Sequence, residues 1–587
     1  MRSLKTEFDR IGHYPSHGQI DALRGVVGTL EAMAERLSND VVYLSSLDPG
    51  VGKTMSVIHF VQTLLNSPSH QHVGVLICFP RIDEIHRVVY EMGLAETDYA
   101  VFTQDPTANS LSATAANEAR VLFTTHQMVS SRCRGRRFVE VEAFHFMASP
   151  REVRIWDEGM LPGEVVSVST DDVASLLKPA QRYLPPLAEC LEVLKAELHQ
   201  RNPGDTFQWP DLEVSCELHR TAVVDAMRHD LSDAQAKALD ALRWMSGKVV
   251  RIANQNGRIR TALDIRDTLP DDFAPVLVLD ASGRVRSTYD LWEKRRGDLV
   301  RLKSAAKDYS DLTVNVLDRG GGKDSWRRNE EGLLSEVAMM IDTKPSEPWL
   351  VIHHGDACNG KFPQALRSRL ATDVSRVSFL SWGQHQGTND HADIPNVVLA
   401  GTLFLPESAY QGLAHLCSGT SVNEELSDEV IDIIRIGEHR DLVLQGLCRA
   451  SVRGSNGARC RPCNAYIIAS KGSGIRKALP EVFPGCRVSS WKPRGKQLKG
   501  KVAEAVVHLE RRLRADPQTV ITFADLMRVT RYANKANFNK RIRRHPDFIA
   551  ARERLGLNEM ATEGAKHDNA LQRPFGPDPD ATYVADL

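Results

Sequence analysis

The 587-residue sequence has no apolar run of about 18 residues, which is the length that a membrane-spanning helix needs. Its first stretch, MRSLKTEFDR, contains no apolar segment of the kind that a secretory signal carries. Cysteine is scarce, with 10 mostly isolated residues in the whole chain, and this fits a protein whose thiols are reduced. We therefore expect a cytoplasmic protein with reduced thiols and no membrane partner.

The composition nevertheless supports several buried cores. Hydrophobic residues make up 42% of the chain, and its length is enough for about three or four domains of ordinary size. The formal net charge is only −1, but the cations are unevenly distributed and concentrate towards the C-terminus. Local charge is therefore more informative about partners than net charge.

The stretch SSLDPGVGKT, residues 45–54, ends in Gly-Lys-Thr as a phosphate-binding P-loop does. Leu47 stands where that pattern places its first glycine, a position that shapes the turn and makes no charge contact. An apolar strand precedes the stretch and a helical apolar pattern follows it, which is the context that a P-loop requires. Lys53 would reach the β- and γ-phosphates of a nucleotide, and Thr54 would bind Mg²⁺. The predicted nucleotide-binding residues of this loop are Gly50, Val51, Gly52, Lys53 and Thr54.

A second apolar strand, VRIWD at residues 153–157, ends in the adjacent acids Asp157 and Glu158. Such a pair is usually plain surface charge, but after a buried strand that follows a P-loop it is typical of a Walker B element. Asp157 would hold Mg²⁺ beside the P-loop, and Glu158 would polarise the water that attacks the γ-phosphate. The predicted cofactors are therefore ATP and Mg²⁺.

Two strand-and-loop units lie between these elements, VGVLICFPR at 73–81 and ARVLFTTHQ at 119–127. Strands and helices that alternate after a P-loop predict a parallel, doubly wound sheet. The order P-loop, CFPR, FTTHQ and IWDEG resembles motifs I, Ia, Ib and II of superfamily 2 helicases of the DEAD/DEAH type, with Asp-Glu-Gly-Met in place of the usual box. Gln19 would then contact adenine, although a plain helix-start glutamine is the alternative. The nucleic-acid contacts that this resemblance implies are Pro80, Arg81, Thr125 and His126.

The chain also carries candidates for a second RecA-like domain. Asp280-Ala281-Ser282 follows an apolar strand and resembles motif III, and the strand WLVIH at 349–353 resembles the start of motif IV. The loop GTND at 387–390 resembles motif V. This resemblance implies that Thr388 and Asn389 contact a nucleic-acid backbone.

The segment QGLCRASVR at 445–453 resembles motif VI of the same helicases. Arg449 matches the family spacing, and Arg453 falls one residue beyond it. The resemblance implies that these arginines stabilise charge on the transferred phosphoryl group. The predicted catalytic residues are Lys53, Glu158, Arg449 and Arg453, and the predicted metal ligands are Thr54 and Asp157.

A long spacer with amphipathic helical patterns, residues 161–269, separates motifs II and III. An all-helical insertion at this place resembles the arch of Rad3-like helicases. Those helicases also carry an iron–sulfur domain with four cysteines, but only Cys78 and Cys133 lie between the P-loop and Asp157, so we expect no cluster. The insertion would clamp a nucleic-acid strand or dock a partner protein.

The C-terminal part is basic: residues 523–544 contain seven Lys or Arg and the single acid Asp525. Two short helices around the turn YAN are consistent with helix-turn-helix geometry, in which the second helix enters the major groove. A solvated cationic face on a helical bundle is the alternative, and phosphate attraction is expected before base recognition. The predicted contacts are Lys535, Lys540, Arg541 and Arg544.

Cys460 and Cys463 form a lone C-x-x-C pattern. A structural zinc site needs two further ligands, and Cys448 and Cys486 are the nearest candidates, at irregular spacing. Plain buried or loop cysteines are the alternative.

Together these patterns predict an α/β protein with two RecA-like P-loop domains on parallel sheets, a helical insertion and a small helical C-terminal module. The expected function is an ATP-dependent helicase or translocase on nucleic acid, with DNA favoured over RNA. The alternative is an ATP-gated DNA-binding switch that recruits partners without unwinding. The predicted boundaries are 1–160 with 270–285 for the first RecA-like domain, 161–269 for the insertion, 286–480 for the second RecA-like domain, 490–558 for the basic module and 559–587 for a disordered tail.

Overall fold

A computed structural model describes residues 1–216, 218–219, 221–255, 259–383, 390–492 and 500–573. By its internal contacts the chain divides into two units, Met1–Trp491 and Lys492–Leu587. Two predicted nucleic-acid contacts, Thr388 and Asn389, lie outside the described residues. In the part of the chain that is described, no helix is long and apolar enough to cross a membrane.

The first domain is built on a seven-stranded parallel sheet. Its strands are short apolar runs because helices cover both faces, as in other doubly wound sheets. The strand order is Leu299–Arg301, Val42–Ser45, Val276–Leu279, Val153–Asp157, Val75–Phe79, Val121–Thr125 and Tyr99–Phe102. The helices are Arg2–Ile11, His17–Ala34, Lys53–Leu65, Ile82–Met92, Pro106–Asn109, His126–Cys133 and Ser287–Arg295.

The second domain is built on a six-stranded parallel sheet. The strand order is Val377–Ser381, Trp349–His353, Asn396–Ala400, Cys463–Ala469, Leu312–Asp318 and Arg487–Ser490. The helices are Lys323–Ile341, Phe362–Arg367, Glu407–Ser418, Asp428–Leu447 and Ile475–Val482. Two parallel sheets of this kind confirm the predicted α/β fold with two RecA-like domains.

The sheets also show where each domain ends. Strand Leu299–Arg301 pairs with the P-loop strand, so the first domain continues beyond the predicted residue 285. Strand Arg487–Ser490 pairs with Leu312–Asp318, so the second domain continues beyond residue 480. Both strands are short edge strands, which carry too few residues for a recognisable apolar pattern.

The insertion contains the predicted helices and, in addition, a four-stranded antiparallel sheet. The expectation of an all-helical insertion was therefore wrong. The strand order is Gly163–Ser169, Ile259–Asp267, Val249–Gln255 and Thr206–Gln208. The helices are Thr170–Tyr183, Pro185–Gln200, Leu212–Ser215, Thr221–His229 and Asp233–Met245.

This antiparallel sheet also packs against helix Glu407–Ser418, which belongs to the second domain. At the contact, a Cβ atom added to Gly412 would lie 2.3 Å from Val165 Cγ1. Arg251 extends the contact, because its guanidinium donates to the carbonyls of Val422 and Glu424 at 2.7 Å each. The sheet is thus covered on both faces, so its strands lack the alternating pattern by which an antiparallel sheet is usually predicted.

The C-terminal unit is a helical cluster with a small sheet. Its helices are Gly500–Ala515, Phe523–Val529, Lys535–Phe538, the π-helical turn Asn539–Arg543, and Pro546–Arg554. Its antiparallel strand order is Ile521–Thr522, Ala570–Gln572 and Asn558–Met560. The prediction of disorder from residue 559 was therefore wrong up to Gln572, since Ala570 and Leu571 are buried in the unit's core. Residues 574–587 lie outside the described part.

Candidate active site between the two sheets

The P-loop connects strand Val42–Ser45 to helix Lys53–Leu65. Gly50 and Gly52 have φ values of 78° and 116°, a left-handed region that side chains rarely adopt. Leu47, at the position of the missing glycine, is fully buried in a small apolar cluster with the two N-terminal helices. The departure from the usual pattern is therefore a packing contact, and it leaves the phosphate-facing part of the loop intact.

Lys53 lies at the first position of its helix and points back into the loop. Its ammonium donates to the carbonyl of Leu47 and, at 3.4 Å, to that of Asp48. Burial lowers the pKa of Lys53 to about 8, although the nearby carboxylates of Asp157, Asp48 and Asp280 act in the opposite direction. A buried cation among acids at a helix N-terminus is suited to bind phosphate.

The strand that ends in Asp157 lies beside strand Val276–Leu279, which in turn pairs with the P-loop strand. Glu158 follows in a left-handed conformation with φ of 71°, and its N–H donates to the Leu279 carbonyl at 3.3 Å. Burial, helped by the negative charge of Asp157, raises the pKa of Glu158 to about 7. The two acids of the predicted Walker B element thus reach the same cleft as Lys53.

Glu84 is a third acid in the cleft, and the sequence analysis missed it. It lies in the first turn of helix Ile82–Met92, where acids are favoured by the helix dipole in any protein. Burial and the charges of Glu158 and Asp157 raise the pKa of Glu84 to about 8. The only feature of the sequence that could have pointed to Glu84 is its place three residues after the CFPR stretch.

The second domain supplies the opposite wall of the cleft. Gln445 and Arg449 come from the end of helix Asp428–Leu447, and Arg449 Nη2 donates to Gln445 Oε1 at 2.9 Å. Arg453 ends a short 3₁₀ turn that directly contacts the P-loop, since a Cβ on Gly50 would lie 2.2 Å from the Arg453 carbonyl oxygen. The cleft has a volume of about 270 Å³. The predicted residues that line it are Gly50, Gly52, Lys53, Thr54, Asp157, Glu158, Arg449 and Arg453.

Motif III connects the two walls through buried polar contacts. Asp280 accepts from the backbone N–H and the hydroxyl of Ser282, both at 2.8 Å, and from the hydroxyl of Tyr289 at 2.8 Å. Further along the chain, Arg286 forms a bidentate ion pair with Glu438 of the second domain, from Nε to Oε1 at 2.6 Å and from Nη2 to Oε2 at 2.9 Å. The carboxyl end of the first sheet is therefore fixed to helix Asp428–Leu447, which ends two residues before Arg449.

Two predicted nucleotide-binding residues are not among the described residues that line the cleft. The carboxamide oxygen of Gln19 accepts from the Ser16 N–H at 2.8 Å in a helix-capping box, which is the alternative that the sequence analysis left open. Val51 is buried, and its carbonyl is bonded to His13 Nε2 at 3.1 Å. Both residues shape the loop and its surroundings.

The predicted Ia and Ib residues gather at one edge of the first sheet, because Phe79 and Thr125 are register partners. Arg81 is exposed, and Thr125 caps helix His126–Cys133 by accepting from the Met128 N–H at 3.2 Å. His126 stacks on Trp156 with ring centroids 3.9 Å apart, and burial lowers the pKa of His126 to about 3. This packing keeps His126 neutral and holds it beside Asp157. Contacts of Pro80, Arg81, Thr125 and His126 with nucleic acid stay a prediction.

The cysteines of the C-x-x-C pattern are buried free thiols in the core of the second domain. Within the described ranges, no group of three or more His, Cys, Asp or Glu side chains is arranged to hold a metal ion. Cys460 and Cys463 therefore correspond to the buried-cysteine alternative.

In the C-terminal unit, helix Phe523–Val529 and the helical segment 535–543 are separated by the turn 530–534, as the helix-turn-helix pattern predicts. Arg543 faces inward, where it pairs with Glu559 and lies 4.2 Å from the Phe523 ring. The four predicted contact residues are exposed: Lys535, Lys540, Arg541 and Arg544.

The fold and the cleft define a two-domain P-loop protein of the RecA-like type. No protein-family model and no curated protein matches the chain. Among solved structures, it is similar to "XPD_APO" at 14% identity and a TM-score of 0.46, over 79% of this chain and 99% of that one. Xpd4 of S. tokodaii matches at 13% identity and 0.46, over 81% and 100%. The Mycobacterium smegmatis helicase Lhr bound to ssDNA and AMP-PNP matches at 13% and 0.37, over 97% and 60%.

Proposed function

We propose that this protein is an ATP-dependent helicase or translocase, in which ATP hydrolysis drives movement along nucleic acid, with DNA favoured over RNA. One observation carries the proposal. Lys53, Asp157 and Glu158 of one parallel sheet face Arg449 and Arg453 of the other across a single cleft. A site divided in this way closes when nucleotide binds and opens after hydrolysis, so it can convert turnover into relative motion of two domains.

The binding half of the site fits the triphosphate of ATP. The left-handed glycines Gly50 and Gly52 leave room for phosphate oxygens, and Lys53 supplies positive charge at the helix N-terminus. The Thr54 hydroxyl and the Asp157 carboxylate are oxygen donors of the kind that Mg²⁺ prefers. When bound there, Mg²⁺ would neutralise part of the phosphate charge.

The hydrolytic half needs a base and cations at the γ-phosphate. Glu158 would accept a proton from the water that attacks the γ-phosphorus, and the bond to the bridging oxygen of ADP would break. The charge that develops on the phosphoryl oxygens would be stabilised by Arg449 and Arg453 from the opposite wall. Glu158 is suited to this role because the peptide N–H bond to Leu279 fixes its backbone.

The nucleic acid would be held by groups outside the cleft. The exposed side chain of Arg81, at the edge of the first sheet, and the exposed cations of the C-terminal unit are suited to phosphate contacts. These contacts attract nucleic acid through its phosphates.

The test is steady-state ATP hydrolysis without polymer and with single-stranded DNA, duplex DNA or RNA, followed by strand displacement on the polymer that stimulates most. We expect strong stimulation by one polymer. Lys53→Ala should abolish turnover because the phosphates lose their cation, and Glu158→Gln should lower kcat at least about 100-fold because it removes the base.

Unchanged turnover in either variant would contradict the assignment of the cleft. Hydrolysis that is indifferent to every polymer, with ATP-dependent binding but no displacement, would instead favour the ATP-gated DNA-binding switch.

A further inference from the structure

Asp48, the residue after the missing P-loop glycine, is fully buried and is not among the described residues that line the cleft. Its carboxylate binds two groups on the far side of the loop. Oδ1 accepts from Arg284 Nε at 2.9 Å, and Oδ2 accepts from the backbone N–H of Lys307 at 2.7 Å. Asp48 therefore links the P-loop to the end of motif III and to the connection between the two sheets.

Arg284 extends this link into the second domain. Its Nη1 and Nη2 atoms donate to the carbonyls of Glu481 and Val482, at 2.9 and 2.6 Å. These carbonyls are at the C-terminal end of helix Ile475–Val482, where unpaired carbonyls and the helix dipole attract a cation. One guanidinium thus holds the P-loop and a helix of the second domain together.

Lys307 extends the link in a second direction. Its buried ammonium donates to the carbonyl of Arg453 at 2.6 Å and approaches those of Val452 and Gly454 at 3.4 and 3.3 Å. The Arg453 carbonyl is the group that lies against Gly50 of the P-loop, and Ser455 Oγ also donates to the Gly50 carbonyl, at 3.2 Å. The segment that carries Arg453 is therefore held by a residue whose own backbone is bonded to Asp48.

We propose that Asp48 is a positioning residue for hydrolysis: through Arg284 and Lys307 it sets the placement of Arg453 relative to the P-loop. This inference rests on the proposed function, because Arg453 matters only if phosphoryl transfer occurs in the cleft. A buried carboxylate that bonds both groups is well suited to the task, since displacing the Arg284 guanidinium would leave a charge unpaired and displacing the Lys307 peptide would leave a buried N–H unpaired in a low-dielectric interior.

The first measurement is hydrogen exchange of the nucleotide-free full-length chain, and it does not depend on activity. Asp48→Asn keeps the shape of the side chain and removes its charge, and amides of residues 449–455 should then exchange at least about tenfold faster. Arg284→Lys is the second variant, which keeps the charge but loses the planar fork that reaches both partners, and it should act in the same direction.

Arg296→Gln is the matched control. Arg296 also bridges the domains, donating to the Leu416 carbonyl at 3.1 Å and pairing with Asp267 at 3.2 Å, but it does not line the cleft. Exchange at 449–455 should be unchanged in this variant. If exchange at 449–455 is also unchanged in Asp48→Asn, the proposal is overturned. If Asp48→Asn does not fold, the exchange of the same amides in Arg284→Lys is the deciding measurement.

The second measurement is the kinetic coupling of Asp48 to Arg453. Asp48→Asn should lower kcat about tenfold or more with KM for ATP changed less than about threefold, and in an Arg453→Ala background it should have almost no further effect. Effects of the two substitutions that simply multiply would show a general structural role and overturn the proposal. If the wild-type chain hydrolyses no ATP, the proposed function fails, while the exchange measurement still decides whether Asp48 positions the segment.

Discussion

Glu158 shows how a single residue in the cleft is held in a strained conformation. A left-handed backbone costs a residue other than glycine about 1–3 kcal/mol, and such strain persists only where the surroundings enforce it. Here the enforcing contact is the N–H bond to the Leu279 carbonyl, on the strand next to Walker B. The left-handed backbone and this bond together fix the direction in which the Glu158 side chain leaves the backbone.

His439 gives a prediction for the dependence of stability on pH. It is buried against Phe404, with ring centroids 4.3 Å apart, and burial lowers the pKa of His439 from 6.5 to about 4. Because the folded pKa lies below the unfolded one, protonation favours the unfolded chain. The contribution of neutral His439 to the free energy of unfolding is complete above about pH 6.5 and is lost as the pH falls towards 4. At pH 5 the loss is about 2 kcal/mol.

His439→Phe should therefore show a smaller drop in thermal midpoint between pH 7 and pH 5 than the wild-type chain. The control is the same substitution at the exposed His86, which should leave the drop unchanged. Equal drops in wild type and His439→Phe would show that the pKa of His439 is the same in the folded and the unfolded chain, and would contradict the prediction.

At the scale of elements, helix Glu407–Ser418 is buried on most of its surface. It packs between helices Ser287–Arg295 and Asp428–Leu447 and the antiparallel sheet of the insertion. Its glycine, Gly412, allows the closest approach to that sheet. A helix without a solvent-exposed stripe depends on packing rather than on intrinsic propensity.

Gly412→Ala tests that dependence. Alanine favours a helix by about 1 kcal/mol over glycine, but here its Cβ would overlap Val165, so we expect destabilisation by about 1–3 kcal/mol. Gly28→Ala, in helix His17–Ala34 with no atom within 4 Å of the new Cβ, is the matched control and should stabilise the protein. Thermal unfolding of both variants measures the difference, and a stabilised Gly412→Ala variant would contradict the packing argument.

The elements that the sequence predicted best are those whose evidence is local. The P-loop and the Walker B strand combine a short pattern with its own flanking strand and helix, and both were found where expected. The insertion strands were missed because their second face is covered by Glu407–Ser418, a helix far away in the chain. Asp48 and Glu84 were missed for a similar reason, since their roles come from contacts between segments that no spacing rule relates.

At the scale of the whole molecule, the unit Lys492–Leu587 is the candidate for general nucleic-acid affinity. A chain ending at Trp491 keeps the second sheet intact, because Trp491 is buried there and its N–H donates to the Val316 carbonyl at 3.0 Å. We expect this shortened chain to bind nucleic acid more weakly and with a flatter salt dependence, measured by fluorescence anisotropy.

Within the intact chain, the double variant Arg541→Gln with Arg544→Gln should reduce the slope of log affinity against log salt by up to about 2 on duplex DNA. Arg511→Gln with Arg512→Gln removes two exposed cations from another helix of the same unit and should change the slope less. If the full and the shortened chain bind nucleic acid with equal affinity, the C-terminal unit does not contribute to binding.

The packing of helix Glu407–Ser418 on the insertion has a consequence for how such chains evolve. The helix is encoded in the second domain, and the sheet that covers it is encoded between the strands of the first. Loss of the insertion alone would expose the apolar face of the helix, and loss of the helix alone would expose Val165 and Leu263 of the insertion. We therefore expect related chains to carry both segments or neither.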